Sequence, residues 1–156
     1  MSKLKLFVPL FFLFYLMGIN SVFALEKIKA AVRSSVTGKI IAEYNVEVAI
    51  NFQDQAKGLS HRQYLADNEG MIFVFPPKTR ISFWMKDTYI PLDLIFINAD
   101  GKINDIVSDA KPLSETPLYA DYPYQYCLEI NAGQAKQKGI VRGDWVIFPK
   151  ISTTAQ

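Results

Sequence analysis

The chain has 156 residues, half of them hydrophobic, with 17 Lys plus Arg against 15 Asp plus Glu, one His and one Cys. This near balance of charge leaves no electrostatic footprint for nucleic acid or for an anionic lipid surface. A single cysteine excludes an internal disulfide, and Cys127 with His61 falls short of the several Cys or His ligands a zinc site needs.

The N-terminus reads as a targeting segment. Lys3 and Lys5 precede an apolar run from Leu6 to Ile19 that only Pro9 and Gly18 interrupt. That run of about 14 residues is shorter than the roughly 20 that a spanning helix requires. Val22 and Ala24 flank the large Phe23, the layout of a secretory signal peptide cut after Ala24. The expected organisation is therefore a signal peptide over 1–24 and a single mainly β domain over 25–156. The expected location is periplasmic or secreted, with no membrane span after cleavage. Loss of the two leader lysines leaves 15 basic and 15 acidic side chains.

Lys27 to Arg33 and Lys39 to Ile50 read as two strands around a turn-rich cluster of Ser34, Ser35, Thr37 and Gly38. Phe52, Ala56 and Leu59 then recur at helical spacing, predicting a short amphipathic helix over Phe52 to Gln63 with Gly58 as its weak point. Met71 to Phe75 is a continuous apolar strand that Pro76-Pro77 is expected to stop. Ile81 to Lys86 and Leu92 to Ile97 read as strands on either side of a Tyr89-Ile90-Pro91 break. The second is apolar on both faces, as a central strand is. Asn98-Ala99-Asp100-Gly101 signals a hairpin into Lys102 to Ser108. Asp109 to Tyr124, with three prolines, is a long loop of the kind that carries function. Gln125 to Ile130 is a strand, Gly133 to Lys138 one helical turn, and Asp144 to Phe148 the last strand. Many short strands and little helix predict a compact sandwich or barrel-like β domain with one or two short helices.

The stretch Phe83 to Ile97 carries two carboxylates, Asp87 and Asp93, in otherwise apolar surroundings. Each must be paired or hydrogen-bonded, or its pKa rises. One role is turn fixing, with Asp93 accepting from backbone N–H groups of the Thr88 to Pro91 turn and Asp87 doing likewise or pairing with Lys86 or Arg80. The other is a polar cluster at the mouth of an aromatic pocket walled by Trp84 and Tyr89. Glu129 either braces the Asn131-Ala132-Gly133 turn or joins the same pocket.

Several blocks resemble a known family. Asp67-Asn68-Glu69-Gly70-Met71-Ile72-Phe73-Val74-Phe75-Pro76, Phe83-Trp84-Met85-Lys86-Asp87-Thr88-Tyr89-Ile90-Pro91-Leu92-Asp93 and Cys127-Leu128-Glu129-Ile130-Asn131-Ala132-Gly133, with Gly139-Ile140 and Gly143-Asp144, look like domain-of-unknown-function family 192. The resemblance covers roughly Val46 to Phe148. It implies a compact, mainly β domain, often behind a signal peptide, and brings no function. The family usually has Asn where this chain has Asp87.

The functional expectation is an exported small-ligand-binding or accessory domain rather than an enzyme. Its site is expected at Trp84, Asp87, Thr88, Asp93 and Glu129, with no cofactor and no metal. A small molecule or envelope component is the expected partner, not nucleic acid. Two alternatives stay open: a glycosidase-like hydrolase using Asp93 and Glu129 as its carboxylate pair, and a structural protein-interaction module.

Overall fold

The computed structural model describes residues 25–151, so the leader read over 1–24 lies outside the described residues. In chain order the elements are β1 (Lys27–Arg33), β2 (Ile40–Ala49), α1 (Phe52–Lys57), β3 (Glu69–Thr79), β4 (Leu92–Ile97), β5 (Ile103–Ala110), β6 (Tyr124–Asn131), α2 (Gln134–Lys138) and β7 (Trp145–Ile147). The fold is mainly β, as the strand pattern predicts. One mixed sheet of seven strands runs in the order β5-β4-β6-β3-β2-β1-β7.

The pair β2–β3 is parallel, with Asn45 opposite Glu69 and Ala49 opposite Phe73, whereas the other neighbours run antiparallel. A parallel pair needs a crossover, and the chain from α1 to residue 68 supplies it. The sheet curls until its two edges meet at one end, making a half-barrel. There the Ile103 amide donates to the Asp144 carbonyl, the Gly143 amide to the Ile103 carbonyl and the Val146 amide to the Gly101 carbonyl, each at 2.8 Å. These bonds pair off backbone groups that an open edge would expose.

Alternation along the strands splits the apolar residues between two faces. Val46 and Val48 of β2, Ile72 and Val74 of β3, Ile95 and Ile97 of β4, and Leu128 and Ile130 of β6 fill the concave face together with Val32 and Val146. Met71, Phe73, Phe75, Leu92, Leu94, Phe96 and Cys127 point the other way, into a second core roofed by Leu59, Leu65, Met85 and Ile90. Strand β4 is buried along its whole length, which is why it reads as apolar on both faces.

Three expected elements differ. The strand expected over Ile81 to Lys86 is not in the sheet; it makes one isolated bridge, Phe83 to Leu118, and ends in a turn where the Thr88 amide donates to the Met85 carbonyl at 3.0 Å. Asp87 takes φ +54° in that turn, a left-handed conformation no strand can continue through. Helix α1 stops at Lys57 rather than at Gln63, because Gly58 turns the chain with φ +48° while its amide caps the Asp54 carbonyl at 2.8 Å. Strand β3 passes Pro76-Pro77 and runs to Thr79. Its pairing with β6 skips from Val74 to Thr79, so the prolines lie where no ladder bond is required of them.

Candidate functional site

The second core is not filled completely. A cavity of about 280 Å³ lies between the outer face of β3, β4 and β6 and a roof made by α1 and residues 81–88. Phe73 and Phe75 of β3, Leu92 of β4 and Glu129 of β6 face it from the sheet. Leu59, Ser60, Phe83, Met85 and Thr88 face it from the roof.

Both parts of the roof are anchored. The Gln55 side-chain amide donates to the Ile50 and Val74 carbonyls at 2.8 and 2.7 Å, which pins α1 against β3. The N-cap Asn51 accepts from the Asp54 amide at 2.9 Å. The Phe83 amide donates to Leu118 at 2.9 Å and its carbonyl accepts from Leu118 at 2.8 Å, while the Met85 amide donates to Ser114 at 2.9 Å. The Tyr124 hydroxyl donates to the Ile81 carbonyl at 2.8 Å. The long loop before β6 thus holds residues 81–88 down as a flap, through the single Phe83–Leu118 bridge and the Met85–Ser114 bond. Beneath it Phe83 meets Phe73, Phe75 and Phe96 edge-on at 5.3, 5.9 and 5.7 Å between ring centroids, a favourable arrangement for aromatic rings.

The rim is unusual for a small domain. Phe52 is 83% exposed and Trp84 58% exposed, and both border the cavity together with the half-exposed Ile81. Lys57 and Lys86 add two ammonium groups at the rim, and Lys86 lies 5.8 Å from the centre of the Trp84 ring.

Glu129 is the polar group at the floor. It is 6% exposed, and among the described residues its carboxyl group has no hydrogen-bond partner and no ion pair. Its flanking residues in the ladder are Met71 of β3 and Leu94 of β4, both apolar. Burial with nothing to stabilise the charge pushes its pKa up to about 8. Burial therefore favours the protonated acid at the floor, a form with one O–H to donate and one carbonyl to accept. Cys127, next on the same face, is fully buried; burial first and the Glu129 charge second push its thiol well above the usual range. It sits there as an inert thiol rather than a nucleophile.

The structure brings three of the five sequence-predicted site residues together: Trp84 at the rim, Thr88 in the roof and Glu129 at the floor. The Thr88 hydroxyl donates to the Lys86 carbonyl at 3.3 Å. Asp87 is exposed and outside the cavity wall. Its carbonyl accepts from the His61 amide at 2.8 Å, which ties the turn to the end of the α1 crossover.

Asp93 is placed differently from its expected position beside Glu129. It is fully buried on the concave face, where Oδ1 accepts from the Asp109 amide and Oδ2 from the Ala135 amide, both at 2.9 Å. It braces β5 and α2, not the Thr88 to Pro91 turn. In the β4–β6 ladder Glu129 stands opposite Leu94 and Asp93 opposite Ile130, so the two carboxylates point to opposite sides of the sheet. They cannot form the facing pair that the hydrolase alternative requires.

Sequence reasoning missed Phe52, Lys57, Ser60, Phe73, Phe75 and Phe83 as cavity residues. The alternation of Phe73 and Phe75 on one face of β3 is a usable signal. The spacing of Phe52 to Ala56 and Leu59 points instead to a core-facing helix residue, and the structure exposes it at the rim. Among the described residues no group of three or more His, Cys, Asp or Glu side chains is placed to hold a metal ion. No described helix is long and apolar enough to cross a membrane.

The fold and cavity define a mainly β half-barrel domain with a buried aromatic cluster. The chain belongs to the DUF192 family (Uncharacterized ACR, COG1430), whose pattern matches residues 32–148. Two solved structures are similar. A candidate transcription regulator from Sinorhizobium meliloti 1021 is 34% identical, with 80% of this chain and 95% of that one covered and a TM-score of 0.77. A protein of unknown function from Novosphingobium aromaticivorans DSM 12444 is 40% identical, with 81% of this chain and 89% of that one covered and a TM-score of 0.75. A search of curated proteins finds no match.

Proposed function

We propose that this chain is an exported domain that binds a small, largely apolar ligand in the cavity between the flap and the outer face of the sheet. The observation that carries this reading is a cavity of about 280 Å³ with an exposed tryptophan at its rim and an unpartnered carboxyl group at its floor. An empty apolar gap costs the fold packing energy, and an unpartnered buried carboxyl costs it more. A ligand that fills the gap and bonds to Glu129 offsets both. The balanced charge of the chain favours a small molecule or an envelope component over nucleic acid as partner. The layout of residues 1–24 supports export with cleavage after Ala24.

The test is a thermal-shift screen of uncharged aromatic and alicyclic compounds on the exported protein, with its N-terminus read by mass spectrometry. Leu25 is the expected first residue, and an intact leader on the exported chain overturns the cleavage reading. Compounds that occupy the cavity raise Tm by mass action. Ala56→Trp, at an exposed position of α1 bordering the cavity, is expected to obstruct the mouth and reduce those shifts. A screen in which no compound raises Tm, or in which the same compounds raise Tm equally in Ala56→Trp, contradicts ligand binding at this site.

A further inference from the structure

The size, walls and floor of the cavity also constrain the chemistry of its occupant, provided that it is a ligand site at all. We propose that the ligand is an uncharged, planar molecule of about two fused rings that presents a cis-amide edge, an N–H beside a carbonyl, to the Glu129 carboxyl group.

Size comes from the volume. A cavity of about 150 Å³ accepts benzene, so the 280 Å³ here accommodates a molecule near twice that size. Planarity comes from the walls, where the Phe73 and Phe75 rings lie within 4° of parallel, Phe83 stands edge-on to both, and Trp84 stands at the rim.

The polar edge comes from Glu129. A protonated carboxyl group offers a donor and an acceptor side by side, the complement of a lactam or other cis amide. Among the described residues no side chain or backbone group bonds to that pair. From β3 it faces Met71 and from β4 Leu94 and Leu92, all apolar. On β6 itself the neighbour on that face is the Cys127 thiol, and the roof contributes the hydroxyls of Ser60, Ser82 and Thr88, of which Thr88 donates to the Lys86 carbonyl. The charged groups on the cavity wall are Lys57 and Lys86, both exposed near the rim.

Alternative ligand charges fit worse. A cationic ligand has to pass two ammonium groups and requires an ionised Glu129, a state that burial opposes and no described neighbour supports. An anionic ligand is held at the lysines and leaves the floor unmet. A purely apolar ligand fills the volume and leaves both carboxyl oxygens without partners.

Calorimetric titration of the exported protein with four bicyclic probes tests this: 2-quinolone, naphthalene, 2-naphthoate and 2-naphthylmethylammonium. At about pH 6, with Glu129 neutral, 2-quinolone is expected to bind about tenfold more tightly than each of the others. Glu129→Gln keeps a donor and an acceptor at the floor and keeps that preference, whereas Glu129→Leu loses about tenfold for 2-quinolone and nothing for naphthalene. At about pH 10, above the Glu129 value of about 8, the native protein loses the preference and Glu129→Gln retains it. Glu129→Gln alone carries the test if Glu129→Leu fails to fold. Naphthalene, the anion or the cation binding as tightly as 2-quinolone overturns the ligand class and leaves ligand binding standing. Saturating probe with no heat and no Tm shift from any of the four overturns both.

Discussion

At Asp87 the backbone, not the site, explains the residue. A φ of +54° is tolerated by Asp, Asn and Gly far better than by other side chains. Asp or Asn satisfies this turn equally, and the exposed side chain needs no amide donor. Asp93 is the opposite case: its backbone is ordinary strand, and its side chain is the brace. Removing it strands the Asp109 and Ala135 amides, the second of them buried. Asp93→Ala is expected to lower the unfolding free energy by roughly 2–4 kcal/mol, since charge-assisted bonds to two amides are lost. Urea melts with an unchanged slope and a lower midpoint check this. An unchanged midpoint contradicts the bracing role. The sequence showed that a carboxylate in a doubly apolar strand must be satisfied. It could not show by which amides, because Asp109 and Ala135 reach Asp93 only through the β4–β5 hairpin and the arrival of α2.

At the scale of elements, β3 and β6 hold the floor of the cavity, and Gly70 sets their fit. A Cβ at Gly70 would lie 2.5 Å from the Glu129 carbonyl oxygen and 3.2 Å from an Ile130 methyl group. Backbone cannot retreat as a flexible side chain can, so Gly70→Ala is expected to cost about 2 kcal/mol and to shift the strand that carries Glu129. Denaturant melts read the cost, and a variant as stable as the native protein contradicts it. The element reading was most secure where burial on both faces left one solution: Leu92 to Ile97 is a strand with the bounds its apolar run predicts. It failed at Ile81 to Lys86. An apolar, aromatic stretch laid over a sheet buries its side chains as well as one paired within a sheet, so the pattern is the same for both. The left-handed turn at Asp87 and the single bridge to Leu118 separate the two, and neither leaves a period in the sequence.

For the whole molecule, the parallel β2–β3 crossover decides what the cavity is made of. It carries α1 across the outer face of the sheet while the concave face closes on its own apolar core. Trp84, Thr88 and Glu129 could be grouped from the sequence because they lie in two aromatic and acidic blocks. Phe52 and Lys57 could not, because only the path of the crossover brings them to the rim. This arrangement leaves the Glu129 carboxyl group buried at the cavity floor without a protein partner among the described residues. That burial has a thermodynamic sign. Folded Glu129 keeps a proton that the unfolded chain releases between the ordinary 4.5 and about 8, so burying it incurs no charge penalty below that window. Stability is lost as pH rises through it, by at most about 5 kcal/mol. The most direct test is a carbon-13 NMR titration of the Glu129 side-chain carboxyl in the ligand-free protein, assigned with Glu129→Gln. A midpoint near 8 is the predicted result. A midpoint at the ordinary 4.5 would mean that the floor of the cavity is wet or its charge is paired, and would contradict the account.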